Sequence, residues 1–290
     1  MPSRQSDLPT SSTAPSAEVS EPNAYFSRVA DHTYRPTRHT AGAWSEVDQH
    51  ISPLNGLVVH AMEQFTKTRN GGGDGKDISR VSFDILGPVA IEAFDVAVDV
   101  LRAGRSVELV EATVTSRSRE VLRARAWRLD RFDTEAVLGG QPPHIPAPGD
   151  LPSWEMTSVW PGGYIASLDV RRSPDSEPGR TTAWVSSALD LLAGEPVSSL
   201  AGFVALVDTA NGLCVRRAPG EWLFPNVDLT IHLHRQPVPG PVGFDTSVVF
   251  GPAGHGVTST VLHDRQGPVG QAAQSLTVRP RATRKPDPGR

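Results

Sequence analysis

The second half of this chain repeats its first at a constant spacing of 150 residues, which limits it to folds built from two like units. Phe94 and Asp95 recur as Phe244 and Asp245, Val98 as Val248, Ala103 and Gly104 as Ala253 and Gly254, and Val107 as Val257. Upstream the offset is 146, where Ser52 and Gly56 recur as Ser198 and Gly202. A helix start, a strand and a hairpin recurring in the same order describe two copies of one unit of roughly 130 residues. Function is then to be sought where the copies differ.

The composition narrows the classes. A length of 290 residues with 38% hydrophobic side chains suits two domains or a fused pair. A net charge of -4 gives no electrostatic footprint for nucleic acid, and no apolar run is long enough to predict membrane insertion. The one cysteine, Cys214, cannot pair within the chain, which fits a reducing, cytoplasmic setting. Residues 1–23, rich in Ser, Pro and Thr, and the basic, proline-containing residues 281–290 read as disordered tails.

The first unit, residues 24–138, opens on an extended segment around His39 to Trp44. Ser52 then reads as an N-cap with Pro53 at the first helical position. Leu54, Leu57, Val58, Ala61, Met62 and Phe65 follow at helical spacing, and the glycine-rich run from Asn70 to Gly75 ends the helix. Strands are predicted at Ser79 to Leu86, Ala93 to Arg102, and Val107 to Leu129 with a turn at Ser116 to Glu120. Residues 139–152, rich in Pro and Gly, read as a linker. The second unit, residues 153–280, repeats the order: an extended segment at Thr181 to Ser187, a helix from Ser199 to about Leu213, then strands at Val227 to Arg235, Phe244 to Phe250, and Val257 to Val278. Each helix is too apolar to lie outside, so the strands must curl around it. The fold class is α+β, with an antiparallel sheet wrapped around a central helix in each of two tandem units.

That doubled order resembles the double hot dog fold of the acyl-CoA thioesterase II family, and within it the thioesterases of actinobacteria. The resemblance is carried by Pro53-Leu54-Asn55-Gly56-Leu57-Val58, by Ala205-Leu206-Val207-Asp208, by the run from Asp228 to Arg235, and by the run from Gly270 to Leu276. It implies hydrolysis of acyl-CoA without metal or cofactor, and a catalytic set of an aspartate on the second helix, a Thr or Ser at the start of the next strand, and a glutamine on the last strand. Asp208 and Gln274 match two of these positions. The hydroxyl position falls on Asn226, a departure that leaves Thr230 and Asp228 as neighbours for the third role.

The residues themselves support the first two. At the 146 offset Asp208 stands where the first copy has Met62, within an apolar helix stripe, and a buried acid is costly unless it is hydrogen-bonded. Gln274 stands where the first copy has Ala124, on one strand face with Ala272 and Leu276. Alternation groups Asn226 with Asp228, Thr230, His232 and His234, and its 150-offset counterpart is Lys76. The plainer alternatives are a solvent-reaching aspartate and a satisfied core amide. In the catalytic reading Asp208 activates water, the helix start around Asn55, Gly56 and Leu57 offers backbone N–H groups to the thioester carbonyl, Gly56 admits the substrate, and Thr230 adds a contact. One site between the halves is expected, with homo-oligomerisation through sheet or helix contacts.

Other signals fail. The run Asn70-Gly71-Gly72-Gly73-Asp74-Gly75-Lys76-Asp77 lacks the spacing of a phosphate loop, and no G-x-S-x-G elbow occurs. His232 and His234 share a strand face without a third metal ligand at sensible spacing. His60 and Cys214 read as packing residues. Two alternatives stay open: a hydratase or dehydratase on the same fold, against which Leu213 occupies the position five residues after Asp208 where such enzymes carry histidine, and a non-catalytic acyl-CoA-binding protein.

Overall fold

The computed structural model describes residues 21–73 and 75–281, so most of the two tails lies outside the described residues. The first half comprises β1 (Ala24–Ala30), β2 (Thr33–Pro36), α1 (Ile51–Arg69), β3 (Lys76–Ile85), β4 (Phe94–Arg102), β5 (Val107–Ser116) and β6 (Arg119–Asp130). The second comprises α2 (Gly163–Ala166), β7 (Leu168–Arg172), β8 (Arg180–Ser187), β9 (Asp190–Leu192), α3 (Ser199–Val207), α4 (Ala210–Leu213), β10 (Trp222–Leu223), β11 (Asp228–Leu233), β12 (Val242–Phe250), β13 (His255–Asp264), β14 (Gly267–Thr277) and β15 (Arg279–Pro280).

Thirteen strands form one sheet in the order β7-β8-β12-β13-β14-β11-β3-β6-β5-β4-β2-β1-β9. The halves meet edge to edge where β11 pairs antiparallel with β3, Thr230 opposite Ser82. Outward from that seam the order of one half mirrors the other, and β9 crosses over to pair in parallel with β1. This is the double hot dog arrangement predicted above. The short extended segment at His39 to Trp44 is instead a 3-10 turn and a loop. Thr37 accepts a hydrogen bond from the His39 amide at 3.2 Å and so favours the turn. The extended pair of the first half, β1 and β2, comes before it.

The structure also corrects the repeat. β4 and β12 begin and end 148 residues apart, as do the two-residue turns after Ser116 and Asp264 and the starts of α1 and α3. Sequence matches at 150 and 146 straddle this value. An even slip of two keeps every strand side chain on its own face, so apolar patterning cannot tell 148 from 150. At the true offset Asp208 answers to His60, Gln274 to Ala126 and Asn226 to Ile78. The contrast between copies survives, with its partners renamed.

Helices α1 and α3 pack against each other inside the curled sheet. In α3 only Ser199 and Gly202 escape burial, and in α1 the run from Ser52 to Met62 is buried throughout. Gly56 is the point of closest approach. A Cβ there would lie 2.6 Å from the Ala205 Cβ and 2.6 Å from the Ala201 carbonyl oxygen. Its role is helix packing and not substrate access.

Helix starts differ between the halves. Ser198 caps α3, its Oγ accepting from the Ala201 amide at 3.0 Å while donating to Glu63 on α1 at 2.6 Å. Ser198→Ala is expected to lower stability by about 1 kcal/mol in urea unfolding; an unchanged midpoint would show that the cap contributes nothing. In α1 the cap is His50, two residues before Ser52. Its Nδ1 accepts from the Ser52 amide at 3.2 Å, which places Pro53 at the third helical position. The helix therefore begins a turn before Asn55.

Candidate active site

The second helix does not run unbroken to Leu213. α3 stops at Val207, Asp208 forms its C-cap, and α4 resumes at Ala210. At the break Thr209 Oγ1 lies 2.6 Å from Tyr164 Oη, which also donates to the Ala205 carbonyl at 3.3 Å. The interruption turns the Asp208 carboxylate toward the end of β14 and the start of β11.

There two amides converge on one oxygen. Gln274 Nε2 and Asn226 Nδ2 each donate to Asp208 Oδ1 at 2.8 Å. The second Asn226 N–H is held by the Asp228 carbonyl at 3.0 Å, which fixes the amide. No described residue hydrogen-bonds Asp208 Oδ2. Asp208 is 5% exposed. Burial pushes its carboxyl up to about 7, against the two amide hydrogen bonds that favour the charged form and with a smaller push from Asp228. An aspartate poised near neutrality can take up a proton at physiological pH.

Asn226 reaches this position through a slip in strand register. Thr230 stands opposite Ala273, but Asn226 bridges to Leu276, one residue short of that register. A one-residue slip exchanges faces. Asn226 therefore points inward and Val227 is exposed, the reverse of the alternation expected from the sequence. The slip has its counterpart in the first half between Ile78 and Arg80, so it belongs to the repeat.

A cavity of about 450 Å³ opens on the carboxylate between the halves. The first half contributes Trp44, Gln49, His50, Ile51 and Val89 to it, the second Met156, Trp160, Asp208, Asn211, Asn226 and Arg279. Trp44, Trp160 and Phe224 meet edge to face, with ring centres 4.8, 5.3 and 5.8 Å apart, and make a stiff apolar wall. Asn211 donates to the Phe224 carbonyl at 2.9 Å, and its buried Oδ1 has no partner among the described residues. His50 stacks on Tyr164 at 4.2 Å. A larger cavity of about 540 Å³ lies beside Ser198 and Ser199, but none of Asp208, Gln274 or Asn226 lines it.

The remaining sequence candidates lie elsewhere. Asn55, Gly56 and Leu57 are fully buried inside α1, past its first turn, so their amides are spent within the helix. Thr230 sits between the buried Leu229 and Ile231 and so faces the other side of the sheet, beside His232. His50, Tyr164, Thr209, Asn211 and the two tryptophans escaped sequence reasoning. For Thr209 and Asn211 the signal was present, as polar residues following Asp208 in an otherwise apolar helix.

Comparisons with known proteins agree with this architecture. The family model for the acyl-CoA thioesterase N-terminal domain matches residues 40–129, and that for the acyl-CoA thioesterase C-terminal domain matches residues 142–278. No curated protein matches the sequence. Among solved structures, a protein of Thermobifida fusca YX described as a thioesterase II is 20% identical, with a TM-score of 0.66 over 89% of this chain and 96% of its own. A hot dog protein of Alicyclobacillus acidocaldarius is 14% identical, with a TM-score of 0.66 over 89% and 96%. An acyl-CoA thioesterase II of Mycobacterium marinum is 13% identical, with a TM-score of 0.59 over 89% and 96%. At such identities the structural likeness is one of fold. The two family models together span most of the chain, which belongs to the acyl-CoA thioesterase family as a double hot dog protein.

Proposed function

We propose that this protein hydrolyses acyl-CoA to a carboxylic acid and CoA at the cavity lined by Asp208 and Asn226, with Gln274 hydrogen-bonded to the aspartate behind it. The observation that carries the reading is the convergence of two amides, the buried Gln274 and the half-buried Asn226, on one oxygen of a buried carboxylate, with the other oxygen left for water. Asp208 Oδ2 takes a proton from that water as its oxygen bonds to the thioester carbon. The C–S bond then breaks, and the proton passes to the departing sulfur. Gln274 and Asn226 hold the carboxylate in one orientation, and each favours its ionised form. The aromatic wall suits an acyl chain, and exposed Arg279 suits the anionic CoA. No described helix is long and apolar enough to cross a membrane, and we take the substrate to be the cytoplasmic acyl-CoA pool.

The test is release of CoA thiol, trapped colorimetrically, across a range of acyl lengths. Gln274→Ala removes one donor from the carboxylate, a charge-assisted bond worth roughly 1.5–3 kcal/mol. Thiol release at pH 7 is expected to fall about 10- to 100-fold, and its dependence on pH to move upward, because the lost bond favoured the ionised form. Binding of acyl-CoA without any thiol release by the wild type would instead indicate a non-catalytic binder.

A further inference from the structure

The amide inventory at the start of α1 falls short for a thioester carbonyl. A helix N-terminus presents its first N–H groups to whatever faces it. Here the Ser52 amide is taken by His50 Nδ1, Pro53 has no N–H, and the His50 amide itself donates to the Thr40 carbonyl at 2.7 Å. The Ile51 amide alone is left without an acceptor among the described residues, and Ile51 lines the cavity. A carbonyl oxygen gaining negative charge takes two donors well, and one amide supplies half of them.

We propose that His50 Nε2–H is the second donor, a catalytic hydrogen bond to the carbonyl oxygen of the thioester. The assignment rests on the thioesterase reading of this cavity. Because Nδ1 accepts from the Ser52 amide, the proton of the neutral ring sits on Nε2. His50 lines the cavity with Asp208, and no described residue accepts from Nε2. Stacking on Tyr164 fixes the ring plane, and Tyr164 is in turn tied to Thr209, next to the catalytic aspartate. The donor and the base are thereby braced by one side chain. Burial lowers the His50 imidazole to about 3, so it stays neutral throughout the working range. A neutral donor does not compete with Asp208 for the water's proton.

The comparison of halves points the same way. Ser198 stands 148 residues after His50 and caps α3, but it does not line this cavity. Serine is a preferred cap and histidine is not, so capping alone does not account for the histidine. Its distinguishing property is the second ring nitrogen.

His50→Asn tests the inference, since asparagine keeps an acceptor for the Ser52 amide and loses the far donor. Thiol release should show kcat down about 100-fold, KM within about threefold and an unchanged melting temperature. Nitrogen NMR of the wild-type ring should show Nε2 protonated and Nδ1 bare from pH 5 to 8. A variant with kcat within about threefold of wild type, or a ring protonated on Nδ1, overturns the inference if Asp208→Asn is inactive in the same assay. If Asp208→Asn is itself fully active, it is the reading of the whole cavity that fails.

Discussion

Asp208→Asn is expected to lose thiol release by about a thousandfold or more while making the folded protein more stable at pH 8. The first effect follows from removing the proposed proton acceptor, and the second from removing a buried charge. Folded Asp208 holds its proton up to about pH 7, whereas an unfolded aspartate releases it near 3.8. Between these values the native state binds the extra proton. The stability linked to that proton is complete below about pH 4 and is lost as pH rises through about 7. Asparagine accepts the same two amide bonds on its Oδ1 and is never charged. The variant should therefore gain on the order of 2–4 kcal/mol above pH 7 and little below pH 4. Thermal unfolding at pH 4 and pH 8, beside the rate assay, checks both halves. A variant that is inactive but also destabilised at pH 8 would mean that the carboxylate holds the fold together.

Gly56→Leu is expected to prevent folding, and Gly56→Ala to cost about 1–3 kcal/mol. Alanine in a helix interior ordinarily gains about 1 kcal/mol over glycine. Here the sign reverses, because the added carbon would fall 2.6 Å from both the Ala205 Cβ and a backbone oxygen of α3, and backbone cannot step aside cheaply. Pushing α1 from α3 would also move Asp208, three residues beyond Ala205, away from its amides. Soluble yield and the melting temperature measure this, and an alanine variant as stable as wild type would show that the helices have slack.

Much of this was legible in the chain itself. The paired strands, the hairpin turns and the doubled order followed from residue periodicity, and Asp208 and Gln274 stood out because an acid and an amide interrupt apolar faces. The spacing of the repeat was legible only to within two residues, since a slip of two preserves every strand face. Asn226 was named, but its direction depends on a one-residue register slip that leaves no mark in composition. The role of Gly56 depends on how closely two helices approach, and that of Thr230 on which face of β11 turns outward. His50, Trp44 and Trp160 come from loops whose meeting is purely tertiary, so no spacing rule could gather them.

The most direct test is kcat/KM for thiol release from acyl-CoA measured from pH 5 to 9. The account predicts an ascending limb with its midpoint near 7, set by the buried Asp208 carboxylate, shifted upward in Gln274→Ala and absent with the activity in Asp208→Asn. A profile flat across this range, or the same limb persisting in an active Asp208→Asn enzyme, would contradict it.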